Sequence, residues 1–585
     1  MKITLHQTHQ TIADFNEIFS YIETHFSDEN PGLHLFPELF LCGYPLQDLC
    51  LQKSFITAYH NFLERISSWL TAHIKQESTC LLMGGLEYDL SKDGIPIKIK
   101  NVIYQFGDNK SFIPVYTKRL LPNYDIFDEK KYFTAGDGAK ILTLFGRQFG
   151  VLICEDMWPS SFHELDPVND LEKIVKAQNL SLNGIINLSA SPFIIDKFAK
   201  RMDRAKQISH QFRCPFYYIN KVGGEDEILF DGQSFSVNGD QVIDTAKRFL
   251  PQVIKSTLID NKDYNKKHSP SKNLTWEELF VSRLDTTSTP ACLFHWSDET
   301  TQEVLEALCF GFQEYATKSG FSKFTIALSG GMDSALVLTL ISLCLKKGQT
   351  LEAIYMPSIY SSPLSYDLSL QLCQKLNIPF KSLPIKFMHS TGKNLFTQTF
   401  SDPFDGITDE NIQSRLRGLL LYARSNQVGS MVVNTSNKSE LAVGYSTQYG
   451  DSVGAISLLG DLFKSEVYHL AKYINAKYDQ LIPEQIITRE PTAELRPDQI
   501  DAHSLPPYDR LDAILEGILN YRYSFEDLTK LGFSPEEVEL TFNLYRKTEY
   551  KRYQFCPIIK ISSKSFGFGY RIPLSKHSQF YLTKN

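Results

Sequence analysis

Short runs of apolar residues alternate with longer segments of helical periodicity along most of the chain. The predicted strands are 79–86, 150–153, 184–188 and 216–219 in the first half, and 323–328, 351–356 and 430–433 in the second. The clearest helices are 54–74 and 298–318; in the latter, apolar side chains recur every three or four positions. Because strands and helices alternate in both halves, the pattern predicts two α/β domains.

One segment interrupts this pattern. Residues 261–273 are polar and charged and almost free of apolar side chains, which is typical of a linker or a long surface loop. Helical periodicity resumes at residue 298. We therefore predict a first domain over 1–265, a linker over 266–294 and a second domain over 295–585.

The composition excludes several classes of protein. Hydrophobic residues make up 42% of the 585 positions and the net charge is −7, so neither disorder nor a general electrostatic grip on nucleic acid or membrane is expected. The ten cysteines contain no CxxC pair, which argues against a zinc ribbon or a disulfide scaffold. No signal peptide is evident, and the densest apolar helix, 336–345, is too short to cross a bilayer. We expect a cytoplasmic protein with reduced thiols.

A glycine-rich turn follows the predicted strand 323–328. It reads Ser329-Gly330-Gly331-Met-Asp333-Ser334 and precedes a predicted helix at 335–346. Two glycines let backbone N–H groups approach a phosphate, and the helix N-terminus adds a positive dipole end. The serine hydroxyls can donate to phosphate oxygens, and Asp333 can hold Mg²⁺. The glycine pair alone also fits an ordinary turn in which Asp and Ser cap the helix.

The whole hexapeptide resembles the signature of the ATP pyrophosphatases, whose loop holds the pyrophosphate that leaves during adenylation. The chain contains neither GxxxxGK nor GxGxxG, which excludes a Walker A loop and leaves a dinucleotide-redox domain without its main support. The resemblance implies a Rossmann-like parallel sheet of the adenine nucleotide alpha hydrolase type.

Further segments downstream narrow the resemblance. They lie at 410–417, 434–440, 448–451, 461–464, 491–497 and 504–508, and in this order they resemble the NAD synthetase family over 295–585. The resemblance implies three sets of contacts. ATP would be bound by Ser329, Gly330, Gly331, Asp333, Ser334, Thr435 and Lys464. Mg²⁺ would be held by Asp333 and Glu440, and deamido-NAD⁺ would be bound by Asn411, Arg415, Glu440, Asp451 and Lys551. Ser436, Ser465 and residues 502–503 depart from the family pattern, which affects loop detail.

Three segments of the first half carry candidate catalytic groups: Glu38 after an apolar run, Lys118 before a loop, and Cys154 at the end of a strand. Each alone is commonplace, since a cysteine that ends a strand is usually a buried small hydrophobe. In this order they resemble the nitrilase superfamily of carbon–nitrogen hydrolases, which implies an α-β-β-α sandwich.

The chemistry of these residue types agrees with that resemblance. A thiolate attacks a carboxamide, and a positive neighbour lowers the pKa of the thiol. Glu38 can act as general base and Lys118 can stabilise an oxyanion. By resemblance, Tyr124, Ser191 and Lys197 would hold the polar ends of a glutamine substrate.

The two halves together resemble the glutamine-dependent NAD⁺ synthetases, in which ammonia from glutamine amidates an adenylated nicotinate carboxylate. We hypothesise an internal ammonia tunnel, and the resemblance implies a homo-oligomer with small-molecule substrates. Two other glutaminase types are excluded, because residue 2 is Lys rather than Cys and no GxCxG surrounds Cys154. Two alternatives remain: another amide-forming ligase of the same architecture, and a non-catalytic nucleotide-sensing or scaffold protein.

Overall fold

The computed structural model describes residues 1–26, 30–74, 79–107, 111–158, 164–258, 283–497, 499 and 505–575. The chain divides into two compact units, Met1–Val281 and Ser282–Asn585. Most of the polar segment 261–273 and of the predicted linker lies outside the described residues, and the predicted domain limits stay a prediction. Among the described helices, none combines the length and the apolar character needed to cross a membrane.

The described part of the first unit contains fourteen strands. They are β1 Lys2–Gln7, β2 Gly32–Leu35, β3 Thr79–Leu90, β4 Pro96–Phe106, β5 Ile113–Thr117, β6 Lys140–Leu144, β7 Arg147–Ile153, β8 Gly184–Ser189, β9 Phe216–Asn220, β10 Val222–Glu225, β11 Ile228–Asp231, β12 Phe235–Asn238, β13 Gln241–Thr245 and β14 Gln252–Thr257. One six-stranded sheet has the order β14-β1-β2-β3-β4-β5, and the other has the order β13-β12-β9-β8-β7-β6. Central pairs in both sheets are parallel, which fits strands buried on both faces.

The two sheets pack face to face. Leu5, Leu35 and Leu82 of one sheet share a core with Val151 and Leu188 of the other. Helices cover the outer faces; they are Phe15–Phe26 and Lys53–His73 on the first sheet, and Pro167–Ala177 and Lys197–Phe212 on the second. A short helix, Glu129–Tyr132, and two single-turn 3₁₀ helices, Gln47–Leu51 and Cys154–Met157, complete the described helical elements of this unit. The unit is the expected α-β-β-α sandwich.

The second unit is built on a parallel sheet. Its strands are β15 Leu284–Asp285, β16 Cys292–Leu293, β17 Lys323–Ala327, β18 Thr350–Tyr355, β19 Phe380–Ser382, β20 Met431–Asn434 and β21 Ile456–Ser457. β15 and β16 form a separate antiparallel ribbon, and the other five strands are parallel in the order β19-β18-β17-β20-β21. The chain enters this sheet at β17 and extends it on both sides. Ligands of open α/β sheets bind at the carboxyl ends of the strands, where the order reverses.

Helices flank this sheet and form a second apolar core beside it. They are Asp298–Lys318, Met332–Cys344, Pro363–Leu376, Lys386–Thr399, Gly406–Val428, Lys438–Val443, Lys464–Lys477, Glu484–Thr488, Tyr508–Leu519, Phe525–Lys530, Pro535–Lys547 and Glu549–Arg552. The helix after the glycine-rich turn begins at Met332 rather than at residue 335, so Asp333 and Ser334 lie in its first turn. The expected fold class is confirmed for both halves.

A pair of histidines is buried between the first sheet and its covering helix. His6 of β1 and His34 of β2 are fully buried, and His6 Nε2 lies 3.0 Å from His34 Nδ1. His6 Nδ1 is 2.9 Å from the Tyr21 hydroxyl, and the His6 ring stacks on Phe36. Burial lowers the pKa of His34 to about 4 and lowers the pKa of His6 as well. Both rings are therefore neutral in the folded protein near neutral pH.

Acid should destabilise the first unit through this pair. Below about pH 6.5 the unfolded chain protonates His34 and the folded chain does not, so stability falls as the pH falls toward 4. We expect His34 to account for about 2 kcal/mol of loss between about pH 6.5 and 5. Urea midpoints measured across this range should fall less steeply in His34→Leu. The control His73→Leu alters an exposed ring and should keep the original slope; an unchanged slope in His34→Leu would contradict the prediction.

Candidate active sites

A buried ion pair joins the first two candidate catalytic residues. Glu38 lies in the turn after β2, and Lys118 follows β5. Lys118 Nζ donates to Glu38 Oε1 at 2.7 Å, and both side chains are almost completely buried. Asn101 Nδ2 and the Ala190 amide also donate to Glu38, at 2.7 and 2.9 Å. The Glu38 carboxylate is thus held by three donors in one orientation.

The Glu38 turn depends on a close approach of the next strand. At Gly84 of β3, an added Cβ would lie 2.6 Å from Glu38 Cα and 2.3 Å from the Leu39 amide nitrogen. Leu39 itself has a φ of +50°, so the backbone turns sharply beneath Glu38. A side chain at position 84 would displace the candidate base.

A second carboxylate, Glu129, completes this cluster, and the sequence analysis assigned it no role. Lys118 Nζ donates to Glu129 Oε1 at 2.8 Å, and the Tyr44 hydroxyl donates to the same oxygen at 2.9 Å. Burial raises the pKa of Glu129 to about 7, although Lys118 opposes the shift. Glu129 is the last residue of the sequence segment 116–129, which also contains Lys118. Its position in this segment is the sequence feature that could have identified it as a site residue.

Cys154 is the first residue of a single-turn 3₁₀ helix and has a φ of +45°, which is unusual for a residue with a side chain. The sequence analysis expected a positive neighbour to lower the pKa of this thiol. Lys118 does act in that direction, but burial and then Glu38 outweigh it and raise the pKa of Cys154 well above its ordinary value. The resting thiol is therefore protonated, and a base must take its proton before it can attack.

Asp156 ties the turn of Cys154 to the segment that carries Lys118. Its carboxylate accepts from the backbone amides of Leu120 at 2.7 Å and Arg119 at 3.1 Å, from Ile153 N at 3.2 Å and from the Tyr116 hydroxyl at 2.8 Å. Burial raises the pKa of Asp156 to about 6. The side chain fixes the positions of Cys154 and Lys118 relative to each other.

The three residues expected to hold glutamine lie around this cluster. The Tyr124 hydroxyl donates to Glu155 Oε1 at 2.9 Å. The Ser191 amide donates to Asn220 at 2.8 Å. Lys197 Nζ donates to the Pro192 carbonyl at 3.2 Å, and burial, followed by Arg201, lowers the pKa of Lys197 to about 8. Glu155 raises the pKa of Cys154, of Tyr124 and of Lys197. These groups therefore share one electrostatic environment.

The glycine-rich turn of the second unit has the backbone that its sequence requires. Gly330 has a φ of +81°, and an added Cβ would lie 2.5 Å from the Ser365 carbonyl oxygen. The hydroxyls of Ser329 and Ser334 lie 3.1 Å apart, and the Gly331 amide donates to Ser329 Oγ at 3.2 Å. Only glycine fits at position 330 without strain or displacement.

Three of the expected charged residues meet beside this turn. Lys464 Nζ donates to Asp333 Oδ2 and to Glu440 Oε1, the latter at 3.3 Å. Asn437 Nδ2 donates to the other oxygen of Asp333 at 2.9 Å. Lys464 is nearly buried; burial acts against its positive charge, but Asp333 and Glu440 prevail and raise its pKa. The two proposed magnesium ligands therefore share one ammonium group.

A cavity of about 250 Å³ opens at the carboxyl ends of β17, β18 and β20. Eight of the expected site residues line it: Ser329, Gly331, Asp333, Ser334, Thr435, Glu440, Asp451 and Lys464. Four further charged residues line it without having been assigned a role: Arg417, Arg489, Glu490 and Glu494. Arg489 Nη2 donates to Glu494 Oε1 at 3.0 Å, and Ser365 Oγ donates to the same oxygen at 2.6 Å. Arg417 and Glu494 belong to the family-like segments 410–417 and 491–497. Membership in these segments is the sequence feature that could have identified them as site residues.

The other residues expected to bind the dinucleotide contact a single loop. Asn411 Oδ1 accepts from Thr447 at 2.7 Å, Arg415 Nε donates to the Gln448 carbonyl at 3.2 Å, and Lys551 Nζ donates to the carbonyls of residues 444 and 446 at 2.8 and 2.6 Å. Asp451, at the end of this loop, lines the cavity. The three side chains hold the loop 444–451, and their contact with a dinucleotide stays a prediction.

Asp512 connects the helices that carry Glu440 and Lys464. It is fully buried and accepts from Ser439 Oγ through one oxygen. Its other oxygen accepts from the amide and the hydroxyl of Ser465 at 2.8 and 2.7 Å. Ser439 and Ser465 each adjoin a site residue, so Asp512 sets the separation of the two helix N-termini. No sequence signal singled out this residue.

Comparison with known proteins assigns a family to each half of the chain. The carbon-nitrogen hydrolase family matches residues 2–162, and the NAD synthase family matches residues 304–555. The glutamine-dependent NAD(+) synthetase of Thermotoga maritima is 32% identical over 98% of both chains. That of Synechocystis is 35% identical over 93% of this chain and 92% of its own. The solved structure of the glutamine-dependent NAD+ synthetase from Acinetobacter baumannii, in complex with adenosine diphosphate, is 27% identical, with a TM-score of 0.69 and 98% of each chain covered.

The fold and the two sites thus define a protein that joins a carbon–nitrogen hydrolase to an NAD synthase. Given this identity to its relatives over nearly its whole length, the chain belongs to the family of glutamine-dependent NAD(+) synthetases. The family expected from the sequence is confirmed.

Removing the charge of Glu129 should make Cys154 easier to deprotonate. Glu129 raises the pKa of Cys154, so Glu129→Gln should move the pH midpoint of Cys154 alkylation downward. The rate of iodoacetamide labelling of the Cys154 peptide, followed by mass spectrometry, measures this midpoint. Glu172→Gln removes a carboxylate from the outer helix Pro167–Ala177 and should leave it unchanged. A midpoint that stays or rises in Glu129→Gln would contradict the electrostatic assignment.

Replacing Asp512 should loosen the second site. An asparagine has one acceptor oxygen, so Asp512→Asn cannot accept from Ser439 and Ser465 together, and we expect a loss of about 1–3 kcal/mol. Hydrogen exchange should become faster in the first turns of Lys438–Val443 and Lys464–Lys477. Asp509→Asn, an exposed position on the same helix, is the control. Unchanged protection of both helices in Asp512→Asn would show that Asp512 does not hold them.

Proposed function

We propose that this chain amidates deamido-NAD⁺ to NAD⁺ with ATP, using ammonia that it releases from glutamine. The observation that carries the proposal is that both sets of reactive groups are assembled in one chain. Glu38, Lys118 and Cys154 share one buried electrostatic cluster in the first unit. Asp333, Glu440 and Lys464 meet at a cavity on the sheet of the second. The family of the chain supports the same activity.

The first reaction is the hydrolysis of a carboxamide through a thioester. Glu38 takes the proton of Cys154, and the thiolate attacks the carbonyl carbon of glutamine. Lys118 stabilises the oxyanion, Glu38 passes the proton to the leaving nitrogen, and ammonia leaves as the thioester forms. Glu38 then takes a proton from water, which attacks the thioester and releases glutamate. The raised pKa of Cys154 makes this general base necessary.

We assign recognition of glutamine to Tyr124, Ser191 and Lys197. A free amino acid carries an ammonium and a carboxylate beyond its amide, so its site needs groups of both polarities. Lys197 is a cation, and Cys154 and Glu155 both act to raise its pKa. Glu155, which accepts a hydrogen bond from the Tyr124 hydroxyl, is the acidic group of the same environment.

Asp333 and Glu440 suit Mg²⁺. They are two carboxylates within hydrogen-bonding reach of one ammonium group, and Mg²⁺ is usually held by one or two carboxylates together with substrate phosphates and water. The described residues contain no closed set of three or more His, Cys, Asp or Glu side chains for a metal, which agrees with a site completed by ATP. When bound, the ion would neutralise charge on the phosphates of ATP.

The remaining residues of the second site bind and orient the substrates. The turn from Ser329 to Ser334 presents backbone amides and hydroxyls to the pyrophosphate, and Lys464 neutralises its charge as it leaves. Thr435 lines the same cavity and is assigned to the nucleotide. Asn411, Arg415, Asp451 and Lys551 are assigned to deamido-NAD⁺. The nicotinate carboxylate displaces pyrophosphate from ATP, and ammonia displaces AMP from the resulting acyl adenylate.

The proposal extends to how the chain works in the cell. Ammonium is a poor nucleophile, so neutral ammonia must reach the adenylate before it is protonated, and this favours an enclosed route. We also propose a cytoplasmic homo-oligomer that acts on small molecules. The product of the reaction places the chain at the last step of NAD⁺ formation.

Substituting the thiol should separate the two reactions. In Cys154→Ala we expect glutamine-dependent formation of NAD⁺ to be lost, because no thioester can form. Formation with ammonium chloride as the nitrogen donor should stay near the level of the unmodified chain. The assay supplies ATP, Mg²⁺ and deamido-NAD⁺ and quantifies NAD⁺, AMP and glutamate.

Cys214→Ala is the matched control, since it removes another buried thiol of the first unit. It should retain both activities. Loss of the ammonia-dependent reaction in Cys154→Ala alone would overturn the division of labour between the sites. Absence of NAD⁺ formation from the unmodified chain with either nitrogen donor would overturn the proposed function.

A further inference from the structure

Two thiols outside both candidate sites lie on neighbouring helices of the second unit. Cys309 lies in the helix Asp298–Lys318, and Cys344 is the last residue of the helix Met332–Cys344. Both are free thiols, and both are partly exposed rather than sealed in the core. Neither has a part in the proposed reactions.

The contacts between the two helices bring these thiols to one turn of the helix Met332–Cys344. Cys309 Sγ lies 3.7 Å from the Leu340 carbonyl oxygen, and Cys344 Sγ lies 3.4 Å from the next carbonyl oxygen, that of Ile341. Gln313, one turn after Cys309, donates through Nε2 to the Cys344 carbonyl at 2.8 Å and lies 3.9 Å from Cys344 Sγ. Both sulfur atoms therefore lie against the same helical turn.

The two sulfur atoms differ in acidity. The neighbouring thiol of Cys309 lowers the pKa of Cys344; burial opposes this shift, while Gln313 and Lys346 add to it. The pKa of Cys309 is raised. Thiolate character on one cysteine next to a second thiol is the arrangement found in redox-sensitive pairs. By contrast, burial raises the pKa of Cys373, in the same unit, to about 12.

We propose that Cys309 and Cys344 form a peroxide-sensitive dithiol that closes reversibly into a disulfide. The Cys344 thiolate attacks one oxygen of hydrogen peroxide, the O–O bond breaks, and the departing hydroxide takes a proton to become water. Cys344 is then a sulfenic acid. The Cys309 sulfur attacks it, the S–O bond breaks, a second water leaves and the S–S bond forms. In balance, two thiols and one peroxide give one disulfide and two waters, and a dithiol reductant reverses the change.

The position of Cys344 connects this pair to the candidate nucleotide site. An S–S bond is about 2.05 Å long and requires Cα atoms about 4.4–6.8 Å apart, so its formation constrains the end of the helix Met332–Cys344 against the middle of the helix Asp298–Lys318. The helix that ends at Cys344 has Asp333 and Ser334 in its first turn. Closure therefore shifts a rigid element that carries part of the ATP site. This consequence rests on the proposed function, whereas the disulfide itself does not.

Mass spectrometry tests the disulfide on the full chain. The protein is reduced with dithiothreitol, desalted and treated with hydrogen peroxide; remaining thiols are blocked with iodoacetamide before digestion without reductant. We expect a peptide pair joined through Cys309 and Cys344, which dithiothreitol separates again. In Cys309→Ser, dimedone should trap a sulfenic acid on Cys344. In Cys344→Ser, Cys309 should remain reduced, and in the control Cys373→Ser the linked pair should form as before.

Three results would overturn the disulfide: no linked pair, linkage only in urea, or equal oxidation of Cys309 with and without Cys344. The effect on the site is read as NAD⁺ formation with ammonia as donor, so that oxidation of Cys154 does not interfere. We expect this rate to fall after peroxide, to return after dithiothreitol, and to be insensitive to peroxide in Cys344→Ser. A cross-linked chain with an unchanged rate would overturn the link to the site. A reduced chain that forms no NAD⁺ would overturn the proposed function, while the cross-link stays measurable.

Discussion

A buried lysine held between two carboxylates is the interaction on which each candidate site depends. Lys118 lies between Glu38 and Glu129, and Lys464 lies between Asp333 and Glu440. An isolated ammonium would be very costly to bury, and one carboxylate would only balance its charge. The second carboxylate leaves each cluster with a net negative charge. In the proposed reactions, that surplus would provide a base for the thiol in the first unit and a place for a divalent cation in the second.

These clusters need precise backbone positions, and two further buried carboxylates supply them. Asp156 accepts from the turn of Cys154 and from the segment that follows Lys118. Asp512 accepts from the starts of two helices, next to Glu440 and Lys464. In both units the reactive residues come from segments distant in sequence, so a carboxylate that bridges two segments fixes their separation. Hydrogen bonds of this kind hold reactive groups rigidly in one orientation.

The sequence predicts the strands, the fold class and most of the reactive residues, because strand periodicity and short motifs are local signals. It does not single out Glu129 or Asp512, since an isolated acidic residue gains its role only from partners brought near by folding. Local pattern also misplaces the start of the helix at residue 335: the N-cap is Gly331, and Asp333 and Ser334 lie inside the first turn. For Asn411, Arg415 and Lys551, resemblance predicts ligand contacts, and the structure shows the loop that they hold.

The two reactive thiols of the chain illustrate how environment sets chemistry. Cys154 and Cys344 are the same residue type, yet burial and Glu38 raise the pKa of the first, and the neighbouring thiol of Cys309 lowers that of the second. A protonated thiol resists oxidants until a base takes its proton, so in the proposed mechanism Cys154 is protected between catalytic cycles. Cys344 has the opposite tendency, because the neighbouring thiol of Cys309 favours the thiolate form of Cys344. Oxidant should therefore reach the helix behind the nucleotide site before it consumes the nucleophile.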